Sequence, residues 1–152
     1  ETGLLGFATA GNTDLSKSHF ISAMIKKIHG AKDGDIVKFW GTGEPLRQQL
    51  YVDDLVCAIP WLLNFHNSSD PIIVAPDQNL SIREMINIFR SIISKKVHAV
   101  FDGSLDGQYR KDGSNFKFKV MMPDVFKFTP FEEGIRKTYE WYKKKDSSNY
   151  RG

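Results

Sequence analysis

The chain has 152 residues, enough for one domain whose core buries roughly 70% of the unfolded surface. Hydrophobic residues make up 41% and charged residues 26%, and 21 basic against 18 acidic side chains leave a net charge of +3. That slight excess suits a small anionic ligand and argues against a nucleic-acid binder, which carries a far stronger basic surplus.

Cys57 is the single cysteine, which excludes an internal disulfide and suits a reducing, cytoplasmic compartment. No stretch approaches the roughly 20 apolar residues of a membrane helix. Residues 4–10 are apolar but short and lack a basic lead-in, so they are not read as a signal peptide.

Residues 1–15 are rich in Gly, Ala and Thr without periodicity and are expected as an irregular segment. Ser16 or Ser18 can cap a helix to about His29, with Phe20, Ile21, Met24, Ile25 and Ile28 on one face and Gly30 as its stop. Residues 36–40 and 47–52 read as short strands around a turn, Trp40-Gly41-Thr42-Gly43-Glu44-Pro45, in which Pro45 can hold φ near −65°.

A helix follows over 53–65. The Asp53-Asp54 pair suits its N-terminus, Leu55, Val56, Ile59, Leu62 and Leu63 form an apolar stripe, and Pro60 predicts a kink or break. Residues 71–75 form a continuous apolar run, the mark of a strand buried on both faces. Ser81-Ile82-Arg83-Glu84 is a capping box that opens a strongly periodic helix. Residues 97–101 read as a strand and 102–113 as a polar loop.

Residues 115–122 are ambiguous between strand and helix. Thr129-Pro130-Phe131-Glu132 combines a second capping box with Pro at the first helical position, and a last helix runs from about 130 to 145. The tail, 146–152, is polar. Alternating short strands and helices predict an α/β fold, a small mixed sheet with packed helices.

Within residues 39–55, Trp40 and Arg47 have no obvious packing duty. A flat aromatic and a forked cation held by a tight bend suit a nucleotide base and a phosphate. Gly41-Thr42-Gly43 lacks the third glycine of a dinucleotide fingerprint and leads into a strand rather than a helix, so no cofactor-binding lobe is expected in this chain.

The pattern W-G-T-G-x-P-x-R-x-x-x-Y-V-D-D over residues 40–54 resembles the substrate lobe of extended short-chain dehydrogenase/reductases acting on nucleotide sugars. Within them it is most similar to the GDP-L-fucose synthase family, over residues 12–152. The resemblance implies the C-terminal, GDP-sugar-binding lobe of an NADPH-dependent enzyme that epimerises and reduces GDP-4-keto-6-deoxy-mannose, with residues 16–145 as that lobe. The family's amino-terminal half would carry the cofactor fold and the Ser, Tyr-x-x-x-Lys and Cys of its catalytic set. NADP is therefore not expected to bind this chain alone, and no metal is implied. The implied partners are a GDP-sugar and either further copies of the chain or a separate Rossmann-domain chain, with no nucleic acid or membrane.

Carried over residue by residue, the resemblance implies His19 of Ser18-His19 as an acid in epimerisation and Trp40 against the base. It implies Arg47 on phosphate and Lys27 at a basic position that is Arg in some members. It also implies Asp106 and Lys111 of the Asp-Gly-x-x-x-Lys loop, and favours a short helix over 115–122. The family's lead-in, an Asn-hydrophobic-aromatic-Gly-Pro run, is replaced here by residues 3–11.

Each site residue also has a plain structural reading: His19 as a solvated helix start, Trp40 as a strand-end core residue, Arg47 and Lys111 as solvated charges. Cys57 among apolar neighbours reads as structural. Tyr139 and Lys143 match Tyr-x-x-x-Lys but read as a core tyrosine and a solvated lysine, and Lys143-Lys144-Lys145 as a helix end favoured by the dipole. A reading from another class is a non-catalytic module that self-associates or binds a protein through an apolar face.

Overall fold

The computed structural model describes residues 3–5, 19–124 and 126–149, with side chains at 19–124 and 126–144. Its elements are β1 (Gly3–Leu5), α1 (Phe20–Gly30), β2 (Ile36–Phe39), β3 (Leu46–Tyr51), α2 (Val52–Phe65), β4 (Asn79–Ser81), α3 (Ile82–Ile93), β5 (His98–Phe101), β6 (Arg110–Lys111), α4 (Phe116–Met121) and α5 (Phe131–Asn149).

β3 is the hub. Its first half pairs antiparallel with β4, Leu46 opposite Ser81, and parallel with β6, Arg47 opposite Lys111. Its second half pairs parallel with β1, Gly3 opposite Gln49 through Leu5 opposite Tyr51. β2 and β5 form a separate parallel pair, Ile36 opposite His98 through Phe39 opposite Phe101. Gly3–Leu5 was expected as coil; three residues are too few to show a two-residue alternation, and only their long-range partner makes them a strand.

The core joins one face of α1 (Met24, Ile25, Ile28), α3 (Met85, Ile86, Phe89) and α5 (Phe131, Ile135) to Val37, Phe39 and Tyr51. α3 begins on the expected capping box: Ser81 accepts from the Glu84 amide, and Glu84 accepts from the Ser81 amide at 2.7 Å. Tyr139 is buried in this core with its hydroxyl 2.9 Å from His29 Nδ1, and Lys143 pairs with Glu140 at 2.8 Å, as their structural reading requires.

Several expectations fail for identifiable reasons. Residues 71–75 form no strand. Side chains take the carbonyl of their last residue and of the residue after it: Asn115 donates to Ala75 O at 2.7 Å, and Gln48, buried in β3, donates to Pro76 O at 3.0 Å. Of the kink or break expected at Pro60, the break does not occur: α2 continues through it. Pro60 lies on the exposed side, where water can serve the carbonyl that its missing N–H leaves.

The α2 stripe is not a core face either. Val56, Ile59 and Leu63 are exposed, Leu55 and Leu62 are half-buried, and the buried residues of that helix are Asp54 and Ala58. Cys57 lies on the same exposed side and is not a packed structural thiol. Thr129 is not free to cap α5. Its amide and hydroxyl both donate to buried Asp54, at 2.8 and 2.7 Å, while the Phe131 amide donates to Gln78 Oε1 and the helix starts at Phe131. Ser16 and Ser18 lie outside the described residues; the N-cap position of α1 is His19, whose side chain makes no cap bond.

Candidate functional site

The bend between β2 and β3 needs its glycines. Gly41 has φ +79° and Gly43 φ +84°, left-handed values that other residues adopt only with strain. A Cβ on Gly41 would collide with the Asp106 carboxylate, and one on Gly43 would lie 2.5 Å from Cζ of Phe101. Both positions are tight because neighbouring segments close directly onto the backbone.

The 102–111 loop supplies one wall. The Thr42 amide donates to Asp106 Oδ1 at 2.9 Å and its hydroxyl to Oδ2 at 2.5 Å. The Gly41 amide donates to Asp102 Oδ1 at 2.9 Å and to Ser104 Oγ at 3.0 Å. These donors favour charged acceptors. The Thr42 hydroxyl and amide, with the nearby Arg47 charge, hold Asp106 below the usual carboxylate range, and Ser104 with Gly41 does the same for Asp102.

Arg47 reaches across to the far end of the same loop. Its Nη2 donates to Gln108 O at 2.9 Å, and its Nη1 to Leu46 O at 2.6 Å and Tyr109 O at 3.3 Å. A guanidinium that looked idle in sequence therefore pins the loop. Partial burial lowers its pKa, and the Asp106 charge opposes that shift. Lys111 is the registered partner of Arg47, so both side chains leave the same face of the sheet.

Trp40 stands at the edge of the bend, 80% exposed, so it is not a core residue. Lys27 approaches it from α1, its Nζ donating to Lys38 O at 2.9 Å and lying 6.0 Å from the indole centroid. His19 is exposed and eight residues from Lys27, about 12 Å of helix rise away. The structure thus joins Asp106, Arg47 and Lys111 through one loop and sets Lys27 beside Trp40, while His19 stands apart at the start of α1. A cavity of about 600 Å³ lies elsewhere, walled by Phe118, Phe126 and Phe128, and none of these site residues lines it.

Sequence reading missed Arg83. Its amide donates to Gly43 O at 2.9 Å, its Nη2 to Thr42 O at 2.5 Å and its Nε to Glu44 at 3.2 Å, and its guanidinium covers the Phe101 ring at 4.4 Å. It hid as an ordinary first-turn residue of a helix some 40 positions downstream; no local signal ties it to the bend.

The bend does not fit a dinucleotide. The close approach that glycine allows a pyrophosphate is taken at Gly41 by a carboxylate and at Gly43 by an aromatic ring. Among the described residues no group of His, Cys, Asp and Glu could hold a metal ion, and no helix is long and apolar enough to cross a membrane.

Known proteins match this architecture. Residues 4–75 match the NAD dependent epimerase/dehydratase family. GDP-L-fucose synthase of Dictyostelium discoideum is 34% identical over 135 residues, covering 86% of this chain and 42% of that protein. A probable GDP-L-fucose synthase of Drosophila melanogaster is 31% identical, with coverage of 90% and 46%. The crystal structure of a GDP-L-fucose synthetase from Naegleria fowleri bound to NADP superposes with a TM-score of 0.85 at 30% identity, over 97% of this chain and 46% of that one. The chain spans less than half the length of each of these relatives. Over that span it is a homologue of the GDP-L-fucose synthases, with the α/β architecture of the epimerase/dehydratase family.

Proposed function

We propose that this chain is the GDP-sugar-binding lobe of a GDP-L-fucose synthase-like enzyme, acting with an NADPH-binding remainder in the epimerisation and reduction of GDP-4-keto-6-deoxy-mannose. The observation that carries the reading is the bend itself: a rigid Gly-Thr-Gly turn, clamped by Asp106 and Arg83, that holds an indole out in solvent beside a lysine. An exposed tryptophan on a rigid mount suits a flat purine, and stacking there is worth about 1–3 kcal/mol. Lys27, Lys111 and the remaining donors of Arg47 suit the diphosphate. Asp106 acts through Thr42 and the loop rather than on an anion. His19, exposed and free of a capping bond, is the side chain this reading assigns as the acid in epimerisation.

Residues 16–145 form this lobe in our reading, and the chain alone is inactive because hydride transfer needs a bound nicotinamide. Calorimetry with GDP tests the site. Saturable binding, weakened about tenfold or more by Trp40→Ala and by Lys111→Ala, is expected for a stacked base and a charge-paired phosphate. Absence of heat, or equal affinity in all three chains, would contradict it.

A second reading rests on the exposed α2 stripe of Val56, Ile59 and Leu63, which suits association with a protein partner or another copy. Gel filtration separates the two: a monomer that binds GDP leaves only the first.

A further inference from the structure

We propose that Arg83 is a positioning residue for Trp40, fixing the angle at which the bend presents its indole. This rests on the nucleotide reading above and adds a residue that contacts no ligand. Thr42, two residues from the indole, is held by two separate segments. Asp106 takes its amide and hydroxyl, at 2.9 and 2.5 Å, and Arg83 Nη2 takes its carbonyl at 2.5 Å. The next two residues are also tied to Arg83: Gly43 O by the backbone amide at 2.9 Å and Glu44 by Nε at 3.2 Å.

Under the bend, Phe101 fills the space that a Gly43 side chain would need, and Arg83 covers that ring at 4.4 Å. Arg83 itself is rigidly mounted at the start of α3 by the Ser81–Glu84 capping box. Its planar fork serves Thr42 O and Glu44 while stacking on an aromatic face, a combination that a lysine cannot reproduce. With the 102–106 loop alone the bend keeps one wall and loses the other, so the indole gains freedom that nucleotide binding must then remove.

The test uses the full chain labelled with 5-fluorotryptophan, whose fluorine spectrum reports Trp40, Trp61 and Trp141 separately, the first assigned with Trp40→Phe. In both Arg83→Ala and Arg83→Lys the Trp40 signal is expected to shift or broaden while those of Trp61 and Trp141 stay in place. The GDP dissociation constant is expected to rise about tenfold. If Arg83→Ala fails to fold, Arg83→Lys carries the test.

General loosening of the fold would move all three signals together and overturn the proposal. So would an unmoved Trp40 signal in Arg83→Lys, or an unchanged GDP affinity. A moved Trp40 signal in a chain whose wild type takes up no GDP supports the positioning role and overturns the nucleotide reading instead.

Discussion

Gly43→Ala isolates the cost of the bend. At φ +84° an alanine is strained by about 1–2 kcal/mol relative to glycine. Its Cβ would also lie 2.5, 2.6 and 2.9 Å from three atoms of the Phe101 ring. Moving the ring disturbs its contacts with Phe39, 6.0 Å away between centroids, and with the Arg83 guanidinium stacked at 4.4 Å. Overpacking of that kind adds about 1–3 kcal/mol.

The sum, about 2–5 kcal/mol, is a large share of an ordinary domain's stability and equals a drop of roughly 4–20 °C in Tm for a chain this size. Urea unfolding followed by circular dichroism, with thermal melts alongside, measures it. Gly107→Ala is the control, because a Cβ there meets nothing within 4 Å, and it is expected to stay within about 0.5 kcal/mol of wild type. If Gly43→Ala matched that control, the bend would not be rigid and the site built on it would lose its foundation.

Asp54→Ala strands the amide and hydroxyl of Thr129, and denaturant unfolding should show a loss of about 2–4 kcal/mol, with Asp54→Asn less harmful. Trp40→Ala, at so exposed a position, should leave stability within about 0.5 kcal/mol of wild type while weakening GDP binding by calorimetry. Acid should loosen the bend. Asp106 and Asp102 titrate below their ordinary value in the folded chain, so their contribution is complete above about pH 4 and fades as pH falls through the depressed values. Melts from pH 6 to pH 2 should therefore fall at the acid end, and Asp106→Asn should flatten part of that fall.

What could be read in advance was whatever is written locally. The Ser81–Glu84 box, the amphipathic faces of α1 and α3, and the Trp40-Gly41-Thr42-Gly43 bend each carry their signal within a few residues. What failed depended on distant partners. Residues 71–75 have the composition of a strand, yet Asn115 takes the carbonyl of their last residue and Gln48 that of the residue after it. Thr129 heads a sound capping motif, yet Asp54 holds it 75 positions away in sequence. The α2 stripe has helical periodicity, yet periodicity does not say which neighbour covers it. At the site, the aromatic and the cations stood out by type, whereas Arg83 and the loop-pinning role of Arg47 come only from the way α3 and the 102–111 loop close on the bend.

The most direct measurement is a crystal structure of the chain grown with GDP. The expected result is guanine stacked on Trp40, with the diphosphate in hydrogen-bonding reach of Lys111 and the free donors of Arg47. A nucleotide bound elsewhere, or an indole turned away from it, would contradict the assignment of this bend as the GDP site.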